Sequence, residues 1–335
     1  MRCAVKECEE KHLALSKFCW DHLQDKEEYR DKLREALRTG DLPAGANLKK
    51  VVLKNAHIEK CDLGEANLSQ ASLRGSRLFD VKLEGAELVG ADLTGCDLSH
   101  CDLKDADLTR AVMVNARMWN AVLINANLTE CDLSCADLWN ARLFNVKLWH
   151  ACLAGAKSLT KANFSGDRKL FDDARIGETG ELSAEESYRD LKQYFMSCGR
   201  YNDASWASFK EKTMERLVYR KRGDLNYFPS LFMSLVCGYG EKPYRIVLSS
   251  LSTIGIFAFL YWHFNSVEFA ITKNYLLRWS DYLYYSAITF TTVGYGDFIP
   301  NSHSFSRLLS ALEAFMGVFL TGLFIFTLAR KYSAR

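Results

Sequence analysis

The most regular pattern in the chain is a large apolar residue at every fifth position. It begins at Leu48 and continues without a break to Leu153, and the residue two positions before each of these is small, usually alanine, cysteine, serine or valine. A period of five fits neither the 3.6-residue period of an amphipathic helix nor the two-residue period of a strand. The pattern therefore predicts a solenoid of stacked five-residue repeats. The phase shifts by one residue at Ser158 and Leu159, and we expect Phe164 to close the end of the stack.

Two long apolar runs follow in the last third of the chain, at residues 246–264 and 308–329. At about 1.5 Å per residue, each run can cross a hydrocarbon core of about 30 Å as a helix in contact with membrane lipid. Arg245 precedes the first run, and Arg330 with Lys331 follows the second. Because both basic ends lie on one side, the positive-inside tendency predicts a multi-pass protein of the cell membrane with both termini in the cytoplasm.

The segment between the two runs contains Thr291-Thr292-Val293-Gly294-Tyr295-Gly296-Asp297. Carbonyl groups that all point inward require backbone dihedrals of alternating hand, and glycine adopts the left-handed conformation most freely. This segment resembles the selectivity filter of tetrameric potassium channels with two membrane helices per subunit. The resemblance implies a homotetramer with potassium ions in its filter, because one chain supplies one loop. It implies an ion-binding site formed by Thr292, Val293, Gly294, Tyr295 and Gly296.

The neighbourhood of this segment predicts structural support for it. We expect Ser280 and Asp281 to cap a short pore helix that ends near Phe290. Expected supporting residues are Tyr284, Tyr285, Thr291, Asp297 and Glu313. Tyr284 and Tyr285 stand where many members of the family carry tryptophans, and Ile288 stands where some bacterial members carry a carboxylate. A charge within a membrane helix is a functional candidate by default, but Glu313 can also be a structural prop bonded to the backbone behind the filter.

The second apolar run contains candidates for the gate and hinge. Gly317 and Gly322 allow the helix to bend, although close helix packing is an equally good reason for glycine there. By resemblance, Thr321, Phe324 and Leu328 line the cavity and form a hydrophobic gate.

The five-residue pattern resembles the pentapeptide-repeat family. The motifs that carry this resemblance are Ala66-Asn67-Leu68, Ala91-Asp92-Leu93 and Ala136-Asp137-Leu138. The family fold implied is a right-handed quadrilateral β-helix with four repeats per coil. Four cysteines, at positions 61, 96, 101 and 131, occupy the small inward position, where we expect them to act as packing residues.

The N-terminus has a spacing of cysteine and histidine that is typical of a metal site. Cys3, Cys8, Cys19 and His22 provide three thiolates and one imidazole, the donor set of a closed structural zinc site. The segment resembles a short Cys3His zinc knuckle, and a cytoplasmic location favours metal over disulfides. His12 is an alternative ligand, and incidental solvent-exposed cysteines are the alternative explanation.

The fold class predicted is a multidomain membrane protein with a β-helix, a helical linker and an all-α two-helix pore with a re-entrant loop. The predicted domains are a zinc knuckle at 1–23, a helical linker at 24–40, the β-helix at 41–164, a helical hairpin with a juxtamembrane segment at 165–244, and the pore at 245–335. In the hairpin we expect Ser183 to begin the first helix within a capping box, and Asn202 with Asp203 to begin the second.

These features predict a passive potassium channel without a voltage sensor, which the β-helix regulates or scaffolds through an unknown cytoplasmic ligand or protein. Residues 41–164 contain 14 Lys and Arg against 15 Asp and Glu, so we expect no nucleic-acid partner. The sequence offers no nucleophile, base and oxyanion arrangement, so we do not expect an enzyme. The alternatives are a scaffold protein whose repeat region binds a partner, and a nonselective cation channel. Tyr295 argues against the second alternative because nonselective relatives usually lack it.

Overall fold

The computed structural model describes residues 2–5, 8–166, 180–270, 276–302 and 304–333. The chain divides into two compact units, Met1–Glu215 and Arg216–Arg335, and each is described by itself. Part of the predicted hairpin domain, residues 167–179, lies outside the described residues.

The first unit begins with a small cysteine-bearing module. A bridge between Arg2 and Lys11 and a 3₁₀ turn at Trp20–His22 organise it. Helix α1 follows at Lys26–Thr39, with the Asp25 carboxylate accepting hydrogen bonds from the first turn. This helix was predicted from the charged linker.

The repeats form a ladder in which every fifth residue from Asn47 to Asp137 pairs with the residue twenty positions later. Parallel bridges run from the pair Asn47 and Asn67 to the pair Asp137 and Lys157, so each coil takes twenty residues. The backbone turns two residues after every interior apolar residue, and there φ lies between 52° and 69° at each fifth position from Lys50 to Gly155. No β-branched residue or proline occupies any of these turn positions, as left-handed backbone requires.

The predicted inward positions are buried within the single chain. The large residues from Leu48 to Leu153 and the small residues between them are all buried. The inward polar groups bond to the chain itself, because the Ser76 hydroxyl and the Cys96 thiol each donate to a carbonyl 2.9 Å away. Cys61, Cys96, Cys101 and Cys131 therefore occupy the interior as packing residues.

Both ends of the stack are covered within the first unit. At the start, the Asn47 side-chain amide donates to the His12 carbonyl at 2.8 Å, and Leu37 of α1 is buried near the first coil. At the other end, Phe164 is fully buried and stacks on Trp206, with 5.7 Å between ring centroids. Phe164 thus lies where the sequence predicted the stack to close.

Two helices follow the repeats, α2 at Glu181–Ser197 and α3 at Tyr201–Arg222, and the division between the units falls within α3. Glu211 of α3 forms ion pairs at 3.1 Å with Arg189 and Lys192 of α2, which joins the two helices. The predicted start at Ser183 is wrong. Helix α2 begins two residues earlier, so Ser183 lies inside the helix, where its carbonyl accepts from Ser187.

The second unit is helical apart from two short strands. Its elements are α4 at Tyr227–Val236, a 3₁₀ turn at Gly238–Gly240, α5 at Pro243–His263, β1 at Val267–Phe269, α6 at Trp279–Phe290, β2 at Phe298–Pro300 and α7 at Ser304–Ser333. Helix α5 and residues Phe305–Ala329 of α7 are long and apolar enough to cross a membrane. The antiparallel pairing of β1 with β2 was not predicted.

Helix α6 corrects one expected helix start. The sequence predicted Ser280 and Asp281 as its cap, but the helix begins at Trp279. The Asp281 carboxylate instead reaches back to accept from the Arg278 amide at 2.8 Å. The acidic residue therefore stabilises the helix start from the third helical position.

Candidate ion pathway and metal site

The segment after α6 has left-handed backbone at every second residue. Thr292, Gly294 and Gly296 have φ of 57°, 53° and 80°. An added Cβ at either glycine meets no atom within 4 Å, so backbone conformation is the reason for glycine at these two positions. This alternation is the backbone pattern that the sequence predicted for the segment.

Thr292 was not expected to adopt positive φ. A β-branched residue is uncommon in the left-handed region, and such conformations occur mainly where function requires them. The Thr292 hydroxyl donates to the Thr291 carbonyl at 2.7 Å, and the Val293 amide donates to the Ile288 carbonyl at 3.0 Å. The second of these bonds attaches the start of the segment to the last turn of α6.

The two large side chains of the segment have little cover in one chain. Val293 is 52% exposed and Tyr295 is 72% exposed. Tyr284 packs edge-on against Phe298 at 5.7 Å and interacts with Asp297. Two of the expected supporting residues, Tyr284 and Asp297, thus lie together beside the segment. Most of the Tyr295 side chain is uncovered within one chain.

Glu313 joins the three helices around the segment. Its carboxyl group accepts a hydrogen bond from the Tyr261 hydroxyl of α5 at 2.7 Å and contacts the Ser286 hydroxyl of α6. One turn earlier on α7, the Ser310 hydroxyl lies 2.9 Å from that of Tyr285. The expectation that Glu313 bonds to backbone is wrong, because its partners are side chains. Ser286 and Tyr261 were missed, although a serine within an apolar helix was the available signal.

The two candidate hinge glycines have different surroundings. A Cβ added to Gly317 would lie 1.9 Å from the Phe290 carbonyl oxygen, so α7 approaches the end of α6 as closely as glycine allows. Gly322 has no atom near its missing Cβ. The structure thus gives close packing as a reason for Gly317.

The three gate candidates differ in exposure. Thr321 is exposed, Leu328 is partly buried, and Phe324 packs against the cluster that contains Ile246 and Phe290. Their role as a gate remains a prediction.

The four predicted metal ligands lie together. The donor atoms of Cys3, Cys8, Cys19 and His22 are all within 4.8 Å of one another. The Cys8 and Cys19 sulfurs are 3.8 Å apart, and His22 Nδ1 lies 3.3 Å from the Cys19 sulfur and 3.6 Å from that of Cys3. His12 points elsewhere, with Nδ1 2.9 Å from the Leu13 carbonyl.

These distances fit a tetrahedral zinc ion. Zinc bond lengths of about 2.3 Å to sulfur and about 2.0 Å to nitrogen place two sulfurs about 3.8 Å apart, and sulfur about 3.5 Å from nitrogen. Burial alone raises the pKa of the Cys3 thiol, but hydrogen bonds at Val5, Cys19 and His22 outweigh it and lower that pKa to about 6. The cluster therefore offers a thiolate near neutral pH, the form that binds metal.

Comparison with known proteins matches two separate segments of the chain. Residues 250–334 match a family model described as an ion channel. Residues 46–157 match the model of pentapeptide repeats, with eight copies. The chain therefore joins a pentapeptide-repeat segment to an ion-channel segment, and these two resemblances drawn from the sequence are confirmed, while the zinc-knuckle resemblance stays a prediction.

A curated relative that is similar to part of this chain is a potassium channel. The two pore potassium channel a of Oryza sativa subsp. japonica is 34% identical over 90 residues, which are 25% of this chain and 26% of the relative. The chain thus matches about a quarter of the length of that relative.

Two solved structures are similar to the repeat segment. The pentapeptide repeat protein Rfr23 from the cyanobacterium Cyanothece 51142 is 30% identical, with 34% of this chain and 87% of that chain covered and a TM-score of 0.26. A pentapeptide repeat protein from the thylakoid lumen of Arabidopsis thaliana is 26% identical, with 30% and 66% covered and a TM-score of 0.25.

Proposed function

We propose that this protein is a homotetrameric potassium-selective channel that conducts passively across the cell membrane. The observation that carries the proposal is left-handed backbone at Thr292, Gly294 and Gly296 within the Thr-Thr-Val-Gly-Tyr-Gly-Asp segment. In the proposed filter, the carbonyls of Thr292 to Gly296 replace the water around a potassium ion. The ion-channel match and the potassium-channel relative support this function.

The tetramer is part of the proposal because one chain supplies one filter segment. The exposed Val293 and Tyr295 side chains then pack against neighbouring subunits around a shared axis. The loop from α6 to β2 is re-entrant, since nonhelical backbone at membrane depth needs protein or a water-filled cavity around it.

The membrane arrangement follows from the charges that flank the apolar helices. The last turn of α3 carries Arg220, Lys221 and Arg222, ahead of α4 and α5. Arg330 and Lys331 follow the apolar part of α7. We place these ends, with both termini and the repeat segment, in the cytoplasm. Lipid covers the outward apolar side chains of α5 and α7.

The repeat segment is the proposed regulatory or scaffolding part. Parallel pairing at intervals of twenty residues supports a right-handed quadrilateral β-helix with four repeats per coil. A cytoplasmic ligand or protein bound there would bias the pore through different affinities for its open and closed states. Deleting residues 1–164 tests this: a changed open probability is expected, and an unchanged one under all conditions leaves the segment as a scaffold.

Cys3, Cys8, Cys19 and His22 are the proposed ligands of a structural zinc ion. The observation that supports zinc is the match between their separations and tetrahedral geometry. The expected result is about one zinc per chain after gentle purification, lost in Cys19→Ser. A zinc content far below one per chain in the unaltered protein contradicts the site.

Ion flux into liposomes tests the proposed function. The variant Gly294→Ala places a side chain where φ is 53°, whereas Gly255→Ala adds one to a helix where no atom lies within 4 Å. We expect potassium flux and selectivity to be lost in the first variant and retained in the second. Equal flux in both variants would contradict a filter at this segment.

A further inference from the structure

Among the residues that the structure describes, the buried carboxyl group of Glu313 has only neutral hydrogen-bonding partners. Glu313 is 0% exposed, and the side chains that bond to it are the hydroxyls of Tyr261 and Ser286. Within the described part of the chain, no lysine, arginine or histidine forms an ion pair with it. An ionised carboxylate buried without a cation is strongly unfavourable, whereas a neutral carboxylic acid with hydrogen bonds is readily tolerated.

The number of protons available around Ser286 also indicates that Glu313 is a neutral carboxylic acid. Its hydroxyl oxygen lies 2.8 Å from the Ile254 carbonyl and also contacts the Glu313 carboxyl group. A hydroxyl has one proton to donate, and a carbonyl can only accept. If Ser286 donates to Ile254, the second contact needs a proton from Glu313. Tyr261 donates to the other carboxyl oxygen, so a protonated Glu313 leaves every contact with a proton between its two oxygens.

We propose that Glu313 is a neutral carboxylic acid that donates to Ser286, accepts from Tyr261, and so acts as a positioning residue for the filter. The inference rests on the proposed potassium pore and adds one residue whose protonation state the pore depends on. A carboxylate at this position would leave the close contact between Ser286 and Ile254 without its proton.

The position of Glu313 explains how it acts on the filter. Glu313 contacts Ser286, and Gly317, one turn later on α7, meets Phe290, one turn later on α6. Two successive turns of α7 therefore hold two successive turns of α6. The Val293 and Gly294 amides bond to the Ile288 carbonyl, which lies between those two contacts. A shift of α6 would accordingly move the start of the filter.

The matched variants are Glu313→Gln and Glu313→Ala in the full chain, reconstituted in liposomes. A glutamine side chain has the size of the acid, and its amide can donate to Ser286 while its oxygen accepts from Tyr261. We expect Glu313→Gln to keep the potassium-over-sodium flux ratio within about twofold. Alanine leaves buried hydroxyls unpaired, and we expect it to lower that ratio by about tenfold. Equal loss in both variants means an ionised Glu313, and no loss in either means that Glu313 does not position the filter.

Infrared spectroscopy provides a readout that does not depend on flux. Unaltered protein should show a carboxylic-acid carbonyl band that is absent from Glu313→Gln, and the absence of such a difference would overturn the proposal. If the unaltered protein shows the band but conducts no potassium, the proposed function fails while the protonated Glu313 stands.

Discussion

The repeat segment, residues 46–157, and the pore segment, residues 250–334, differ in how far one chain buries their apolar side chains. Leu98 and Leu103 are completely buried within one chain, and the other interior residues of the repeats are at least nine-tenths buried. In the second unit, Tyr295 is 72% exposed and Phe315 is 71% exposed. The repeats complete their core from successive coils of the same chain, while the pore segment needs surroundings that one chain does not provide. Exposed apolar side chains of this kind are expected where lipid or another subunit packs.

The two segments also treat polar groups differently. In the repeats, the Ser76 hydroxyl and the Cys96 and Cys101 thiols donate to carbonyls of the neighbouring coil. In the pore segment, the side chains of Tyr261, Ser286 and Glu313 form a buried hydrogen-bond network that joins α5, α6 and α7. A change in one coil should therefore act locally, whereas a change at the contacts of α6 with α7 should act on the whole pore.

The largest effect is expected at the close contact of α6 with α7. Gly317→Ala would place a Cβ 1.9 Å from the Phe290 carbonyl oxygen, so the helices must separate. Overpacking of this kind costs about 1–3 kcal/mol or more, and we expect the yield of assembled, conducting protein to fall at least about tenfold. Size-exclusion chromatography and potassium flux measure both quantities. Gly255→Ala is the control, and similar results for the two variants would contradict the close packing.

A cavity in the interior of the repeats should destabilise the repeat segment without affecting the pore segment. Leu103 is 0% exposed, and Leu103→Ala should lower the free energy of unfolding of the repeat segment by about 3 kcal/mol. Denaturant titration of the intact chain in detergent, followed by circular dichroism, measures this change. Val112→Ala at the surface should cost less than about 0.5 kcal/mol. If Leu103→Ala also altered ion selectivity, the separation between the two segments would be wrong.

A smaller loss is expected at the end of the stack. The Asn163 amide donates to the Ala141 carbonyl at 2.8 Å, and its side-chain oxygen accepts from the Thr160 amide at 2.8 Å. Asn163→Ala leaves these buried groups unpaired and should cost about 2 kcal/mol in the same titration. Ser165→Ala, at an exposed neighbour, is the control. An equal cost for both variants would show that Asn163 does not cap the last coil.

The smallest effect is expected on the outer face of the repeats. The Arg117 guanidinium lies 4.6 Å from the centre of the Trp119 ring and pairs with Asp97 at 3.6 Å, but the side chain is half exposed. Arg117→Ala should cost about 0.5 kcal/mol, because solvent screens both interactions. A loss as large as that of Leu103→Ala would mean that the outer face, as well as the interior, stabilises the stack.

The sequence predicted those parts that depend on local rules. A strict period of five specifies which side chains point inward, and Phe164 ended that period where the stack closes. Gly294 and Gly296 indicated the alternating backbone, and the cysteine spacing indicated a cluster with His22. The cysteine cluster could be recognised because its ligands lie close together in sequence.

The remaining features depend on contacts between distant segments. Nothing near Glu313 in sequence names Tyr261 or Ser286, which are 52 and 27 residues away. The pairing of β1 with β2 and the approach of Gly317 to Phe290 likewise arise only when α5, α6 and α7 pack together. The start of α2 was mispredicted because the capping motif at Ser183 lies inside a helix that begins earlier.

The ratio of potassium to sodium flux through purified protein in liposomes tests the proposed pore most directly, with oligomeric state measured on the same sample. We predict a tetramer that passes potassium and largely excludes sodium. A monomer, or a protein that passes both ions equally well, would contradict a filter formed by Thr292 to Gly296.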